Sequence, residues 1–192
     1  MDAVDDFDMP FGTGEMSLLV LHDEVPPSGK TLRHEADADT LLKLAARLAV
    51  EEVDGLQFEA LLTPIAGGCL LASGQVSGRV QQICGVTLEP LWTQIERSFA
   101  IEFQPAEMVA AAADVPEDDF DSEVAEAMNN GQADIGEAVT QIFAMEVPAY
   151  PRKADAQFSG YGQSEAEMEA EDKAASPFAA LSALKGADGE ET

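Results

Sequence analysis

Two neighbouring stretches decide the fold, CLLASGQVSGRVQQIC at residues 69–84 and LWTQIERSFAIEF at residues 91–103. In the first stretch, apolar or small residues occupy the even positions from 70 to 80, and polar residues occupy the odd positions from 73 to 81. In the second, five large apolar residues share the odd positions. Because side chains of a β-strand alternate between two faces, each stretch predicts a long strand with one buried and one solvated face. The intervening GVTLEP at 85–90 predicts a turn that joins them as an antiparallel ribbon.

Three residues stand out from this alternation. Gly74 and Gly78 fall on the buried parity, where glycine marks a bend or a close approach of two backbones. They favour a coiled, partly barrel-like sheet over a flat one. Arg97 occupies an odd position of the second strand, on the face that is expected to be apolar. A β-bulge, or an arginine whose aliphatic stem lies along that face, explains this position. A paired inward charge is the alternative.

The remaining patterns predict shorter strands and two helices around this ribbon. Strands are expected at 17–22, 30–35 and 56–65. A helix at 39–50 has Asp39 as its N-cap, and a helix at 134–147 begins with Asp134, followed three residues later by Glu137, as in a capping box. We therefore expect an α+β domain at 17–152, in which a coiled, partly barrel-like antiparallel sheet is covered by two helices.

Segments outside this domain are acidic and poor in large apolar residues. We expect a disordered acidic arm at 1–16, a flexible acidic linker at 153–175 and a disordered tail at 186–192. Between the linker and the tail, SPFAALSALK at 176–185 predicts a short helical docking motif. The apolar residues of this motif would dock either onto the domain of the same chain or onto another protein. These residues are Phe178, Leu181 and Leu184.

The charge of the chain excludes several classes of function. The 192 residues hold 10 Lys and Arg against 37 Asp and Glu, giving a formal net charge of −27. Sequence-independent nucleic-acid binding is disfavoured, since it needs cations to neutralise phosphates, and anionic membranes repel such a chain. No apolar run is long enough to span a bilayer, and the acidic residues 1–16 are unlike a signal peptide. We expect a cytoplasmic, monomeric protein.

A second acidic concentration lies in the middle of the chain, at 114–126. It predicts a solvated loop with a helical turn at 121–129, because the spacing of its carboxylates does not fit the twelve-residue calcium loop.

Motifs that carry catalysis or metal binding are missing from the sequence. It contains no phosphate loop, dinucleotide-binding glycine motif, nucleophile elbow or zinc-protease motif. The two cysteines, Cys69 and Cys84, and the two histidines are too few and too scattered for a structural zinc site. Cys84 lies on the buried parity and is interpreted as a small core residue. We expect no enzyme activity, cofactor or metal.

Several of these segments, in the same order, resemble one family. QQICGVTLEPL at 81–91 followed by FAIEF at 99–103 is similar to the central signature of the YceD family, the bacterial and plastid large ribosomal RNA subunit accumulation proteins. NNGQADIGEAVTQIFAMEVPAYPR at 129–152, the helix at 39–50 and SPFAALSALK at 176–185 also fit the family. The resemblance implies a role in accumulation or processing of 23S ribosomal RNA and in large-subunit assembly, without a known catalytic activity. Some members carry cysteines after the Pro-x-x-Pro exit; here PRKADAQF has none, so no metal site is carried over.

Two mechanisms reconcile that role with the acidic charge. In one, Arg79 and other scattered cations, with Lys30 and Arg33 among them, contact RNA phosphates. In the other, which we favour, the protein binds a basic ribosomal protein or another component of the large-subunit pre-ribosomal particle, and the acidic loop steers the encounter. An acidic interaction adaptor without a ribosomal role is the alternative function. The candidate RNA- or partner-binding residues are Arg79, Thr87, Glu89, Arg97, Arg152 and Lys153.

Overall fold

A computed structural model describes residues 11–113 and 125–157 of the chain. The chain divides into two compact units, residues 1–153 and 154–192, and every element named below belongs to the first. The strands are β1 (Leu19–Leu21), β2 (Lys30–Glu35), β3 (Glu52–Ile65), β4 (Cys69–Ile83), β5 (Pro90–Pro105), β6 (Glu126–Met128) and β7 (Gln132–Asp134). The helices are α1 (Ala38–Arg47), α2 (Ala106–Ala113) and α3 (Ile135–Met145), with short 3-10 turns at His22–Glu24 and Ala66–Gly68.

Five strands form the central sheet in the order β2-β3-β4-β5-β6, and β1 pairs with β7 in a separate two-stranded sheet. The mixed α+β architecture predicted from the sequence is confirmed. Two details differ. In the described part of the chain the central sheet is open, with β2 and β6 at its edges, so the barrel-like closure is not confirmed. In addition, β6 runs parallel to β5, whereas an entirely antiparallel sheet was expected.

The long ribbon is confirmed residue by residue. β4 and β5 pair from Leu70 opposite Phe103 to Ile83 opposite Pro90 without a shift in register. A Cβ added at Gly74 would collide with the carbonyl of Glu59, and one at Gly78 would lie 3.0 Å from the Phe143 ring. Both glycines therefore mark close approaches, as their parity predicts.

Arg97 is a paired charge rather than the site of a bulge. Its register with Val76 is continuous with the rest of the ribbon, which rules out a bulge at this point. Its Nε lies 3.3 Å from Glu146 Oε1 at the end of α3, and its side chain is more than half exposed. The charge is thus neutralised at the rim of the apolar face instead of being buried beneath it.

The first helix is shorter than predicted and starts at a different cap. α1 spans Ala38–Arg47 instead of 39–50, and its N-cap is Asp37, whose carboxylate accepts a hydrogen bond from Thr40 N at 2.8 Å. Asp39 lies in the first turn and pairs with Lys43 at 2.6 Å, the i,i+4 spacing that stabilises helices. The helix ends because Ala49 adopts a left-handed backbone conformation, with φ of 52°.

The second predicted helix, α3, begins as expected but uses its capping residues differently. Asp134 caps it by accepting a hydrogen bond from Glu137 N at 3.0 Å. In a complete capping box, the Glu137 carboxylate would accept a hydrogen bond from the backbone N–H of Asp134. Here it accepts one from Arg47 of α1 instead, at 2.6 Å. The apolar stripe of α3 is buried against the sheet, with Phe143 fully covered.

The residues on either side of the acidic loop, where only a helical turn at 121–129 was expected, contain more regular structure. The Ala-rich residues 106–113 form α2, as their high helix propensity favours. Residues 126–128 form strand β6 instead of part of a helical turn, because they pair with Phe103–Pro105. The greater part of the arm at 1–16, of the acidic loop at 114–126 and of the linker at 153–175 lies outside the described residues, as do the whole docking motif at 176–185 and the tail.

Candidate partner-binding surface

The central sheet has one face packed under helices and one exposed polar face. α1 and α3 bury Leu44 and Phe143 against the apolar face. On the other face, side chains of β3, β4 and β5 are exposed in alternation with buried ones. We call this the open sheet face. Its central residues are Arg33, Glu35, Asp54, Gln57, Glu59, Gln75, Ser77, Arg79, Trp92, Gln94 and Glu96.

A bulge in β3 brings two polar residues to this face that strict alternation would separate. The register between β3 and β4 shifts between Asp54 and Gln57, and Gly55 within the shift has φ of 63°. The extra residue resets the alternation, so that Asp54 and Gln57 both point outward while Val53 and Leu56 are buried.

Two adjoining shallow depressions lie on the open sheet face. The larger has a volume of about 490 Å³ and is lined on this face by Arg33, Glu35, Gln57, Glu59, Gln75 and Ser77. The smaller, of about 260 Å³, includes Asp54, Arg79 and Gln94. Because both are lined by Gln57 and Ser77, they form one trough that crosses from β2 to β5.

The cations of the trough are held by carboxylates of the same face. Arg33 donates two hydrogen bonds to Glu59, at 2.8 and 3.1 Å, and these lower the pKa of Glu59 and raise the pKa of Arg33. Arg79 donates to Asp54 at 2.8 Å through Nε, and its Nη2 lies 2.6 Å from the same oxygen. Glu35 and Glu96 also lie on this face, and neither lies within salt-bridge distance of a lysine or arginine in the described chain. The trough is therefore acidic.

Trp92 is a functional candidate that the sequence reasoning missed. The Arg79 guanidinium lies over its ring, 4.6 Å from the centroid, and the residue remains 39% exposed. The signal was present in the sequence, since Trp92 occupies an even, polar-parity position of the second strand. A large exposed aromatic residue on a polar face is typical of contact surfaces.

At the β4–β5 turn, the structure brings together three of the predicted site residues. Lys153 Nζ lies 2.6 Å from Glu89 Oε2, and Gly85 N donates to the Pro151 carbonyl at 2.9 Å. Thr87 N donates to the sulfur of Cys84 at 3.5 Å, as does Lys153 N. The segment ending at Lys153 thus fastens the turn, and Arg152 lies beside it as an exposed residue.

Cys84, at this turn, is buried and accepts hydrogen bonds at its sulfur. The residue is fully buried, as its parity predicts. Hydrogen bonds, first from Thr87 and then from the Lys153 N–H, lower the pKa of the thiol to about 6. Interpreting Cys84 only as a small core residue was therefore incomplete, because the N–H of Lys153 comes from 69 residues further along the chain.

The comparison with protein families covers the β4–β5 turn and the part of the open sheet face that β4 and β5 form. A family model described as "Large ribosomal RNA subunit accumulation protein YceD" matches residues 72–185, more than half of the chain. The chain belongs to the YceD family. The match includes most of β4, the β4–β5 turn, β5, α3 and the SPFAALSALK segment, and it confirms the resemblance for these segments. The helix predicted at 39–50 lies outside the matched residues. Searches of curated proteins and of solved structures gave no match.

The candidate residues of this YceD protein do not form one cationic cluster. Arg97 projects from the apolar parity of β5 and pairs with Glu146, whereas Arg79 lies on the open sheet face. Most of the lysines and arginines in the described residues lie within salt-bridge distance of a carboxylate, namely Arg33, Lys43, Arg47, Arg79, Arg97 and Lys153. Phe178, Leu181 and Leu184 lie outside the described residues.

Neither a metal-binding cluster nor a membrane-spanning helix occurs in the described part of this YceD chain. No group of three His, Cys, Asp or Glu side chains there is arranged to hold a metal ion. No helix there is long and apolar enough to cross a bilayer.

Proposed function

We propose that this YceD protein is a non-enzymatic cytoplasmic factor for accumulation or processing of 23S ribosomal RNA and for assembly of the large ribosomal subunit. It acts by binding a basic ribosomal protein of the pre-ribosomal particle. The family name supports the link to large-subunit ribosomal RNA. The mode of action is inferred from the charges on the surface.

The observation that supports this proposal most strongly is that the cations of the surface are already paired with carboxylates. Arg33 and Arg79 on the open sheet face and Lys153 at the turn each have a carboxylate within 2.8 Å. To bind a phosphate, such a cation has to share or leave its carboxylate, and the excess of carboxylates around it repels the phosphate. A basic protein meets the opposite situation, because a net charge of −27 attracts it over a long range.

Electrostatic attraction of this kind accelerates encounter and disfavours wrong partners more than it adds affinity. It also weakens with salt, because charges further apart than about 8 Å are largely screened at physiological ionic strength. A factor that binds an assembling particle transiently needs both a fast encounter and an interaction that physiological salt keeps weak.

The proposal is tested by deleting the gene and following ribosome assembly. We expect a reduced ratio of 23S to 16S ribosomal RNA and fewer complete large subunits on sucrose gradients. The tagged full-length protein should co-sediment with precursors of the large subunit. Normal ribosome profiles in the deletion strain, with the protein remaining at the top of the gradient, would instead support the interaction adaptor.

A further inference from the structure

We infer that the trough on the open sheet face is the docking surface, and that it binds an extended, lysine- and arginine-rich segment of a protein. This inference rests on the proposed function, because it places the basic partner on one named surface. The shallow depressions, the charge and the hydrogen-bonding capacity of this face support it.

Two carboxylates of the open sheet face, one in the trough and one beside it, are arranged at a spacing that an extended chain can match. Glu35 is paired with Gln57, Gln57 with Ser77, and Ser77 with Glu96, so the two carboxylates stand at opposite ends of one row across four strands. Adjacent strands are about 4.8 Å apart, which separates the backbones of the two glutamates by about 14 Å. Four residues of an extended segment span about the same distance, at about 3.4 Å per residue. Cations at positions i and i+4 would therefore reach both ends.

The floor of the trough suits a peptide backbone. Gln57, Gln75 and Gln94 provide side-chain amides, each of which can donate and accept hydrogen bonds. An extended segment leaves its own N–H and C=O groups available for such bonds. Gln75 already donates to Glu96 at 2.8 Å, which holds that carboxylate above β4.

Charge complementarity selects a basic protein segment over RNA. Of the arginine and carboxylate side chains that line the trough, Arg33 and Arg79 are outnumbered by Glu35, Asp54 and Glu59. Glu96 adds a fourth carboxylate on the same face, beside the trough. Both arginines are held by carboxylates, which leaves the two outer glutamates for an incoming cation. Trp92 at one end of the face adds a ring on which a lysine or arginine side chain can lie.

The only tryptophan of the chain provides the readout, since Trp92 lies on the open sheet face beside the trough. The full-length protein is titrated at low salt with a Gly/Ser peptide that carries a lysine at every fourth position, and the emission of Trp92 is followed. A peptide of the same composition with its lysines clustered serves as the ligand control. We expect a saturable change in emission, with tighter binding of the spaced peptide.

A pair of double variants locates the surface. E35Q/E96Q removes the two outer carboxylates, and we expect about fivefold weaker binding, as for the loss of two exposed ion pairs. E24Q/E107Q removes the same charge from exposed positions outside the trough and should bind within twofold of the unaltered protein. Circular dichroism of each variant establishes that it is folded.

Three results would overturn the inference. E35Q/E96Q could bind as well as the unaltered protein, the two double variants could lose affinity equally, or a single-stranded ribosomal RNA fragment could change Trp92 emission where the peptide does not. If the full chain co-sediments with large-subunit precursors and any of these results is obtained, the surface is wrong while the proposed function stands. If the peptide binds as expected but deletion leaves ribosome assembly normal, the proposed function fails instead.

Discussion

The guanidinium of Arg79 lies 4.6 Å from the ring centroid of Trp92, while its Nη2 lies 2.6 Å from Asp54. Arg79 thus joins β3, β4 and β5 on the open sheet face through an ion pair and a cation–π contact. Its two partners are both provided by the sheet itself, and this changes the effect expected from its removal.

Arg79→Gln should strengthen the binding of a basic partner. The substitution removes a positive charge from the trough and leaves Asp54 without its cation, so we expect two- to fivefold tighter binding of a lysine-rich peptide at low salt. The measurement is a titration followed by fluorescence anisotropy of a labelled peptide. A phosphate-binding role for Arg79 predicts the opposite sign, with weaker binding of ribosomal RNA and no gain for the peptide.

Arg47→Met should destabilise the domain by about 2 kcal/mol at pH 7, because Arg47 donates to both Glu15 and Glu137 and links the N-terminal segment, α1 and α3. Hydrogen bonds from Arg47 lower the pKa of Glu137. A lowered pKa means that the carboxylate stabilises the folded state fully above the pKa of an exposed glutamate, about 4.3. This stabilisation disappears as the pH falls through the lower pKa of the folded state.

Urea unfolding of both proteins at pH 7 and pH 3 measures this difference. The deficit of the variant should be largest at pH 7 and should shrink at pH 3. Arg33→Met, which breaks the exposed pair with Glu59, serves as the control and should leave the unfolding midpoint unchanged. An equal deficit at the two pH values would contradict the assignment of the effect to Glu137.

Asp134→Ala should cost about 3 kcal/mol, more than the loss of an ordinary helix cap. The buried carboxylate accepts hydrogen bonds from Ser17 Oγ at 2.6 Å and from Leu18 N and Glu137 N at 3.0 Å. Asp134→Asn should recover part of the loss. Thermal unfolding provides the measurement, with Asp37→Ala at the exposed cap of α1 as the matched case, and a larger loss at Asp37 would be inconsistent with this account.

Gly74→Ala should destabilise by about 2–3 kcal/mol, because its Cβ would collide with the Glu59 carbonyl, which is backbone and cannot rotate away. Gly85→Ala is the control. Its nearest neighbour, the Pro151 carbonyl, lies 3.8 Å from the added Cβ, so we expect a change within about 0.5 kcal/mol. Chemical denaturation of both variants decides the matter, and similar stabilities would argue against a close approach at Gly74.

The two cysteines should titrate at well-separated pH values. Hydrogen bonds, first from the Thr87 side chain and then from the Lys153 backbone N–H, lower the pKa of Cys84 to about 6, whereas burial raises the pKa of Cys69. Thiolate absorbance at 240 nm should therefore rise in one step near pH 6, which Cys84→Ser abolishes and Cys69→Ser retains. A lowered thiol pKa adds stability as the pH rises from about 6 to the ordinary value near 8.5, so the Cys84→Ser deficit should grow over that interval. A first step above pH 8 would refute the assignment.

Features determined by local sequence could be predicted. Alternation over 69–103 specified the ribbon, and Asp134 followed by an apolar stripe specified α3. The N-cap of α1 could not be fixed in this way, because Asp37 and Asp39 are both good caps and only the bond to Thr40 N distinguishes them. β6 was missed because three residues carry no periodicity and are held by pairing with β5.

Features determined by distant residues were beyond local patterns. The parity of Arg97 shows that it is anomalous but cannot identify Glu146 as its partner. The sequence around Cys84 likewise cannot identify Lys153, 69 residues away, as a hydrogen-bond donor to its sulfur. For the candidate site, the acidic charge indicated the kind of partner, whereas the trough emerges only when the bulge at Gly55 and the pairing of four strands place its residues side by side.

The most direct measurement compares the binding of the full-length protein to purified basic proteins of the large subunit and to protein-free 23S ribosomal RNA over a range of salt concentrations. The account predicts that at least one basic protein binds at low salt, with an affinity that falls as salt rises, and that naked RNA shows no measurable binding at physiological salt. Tight binding of the RNA above physiological salt, with no binding of the basic proteins, would contradict it.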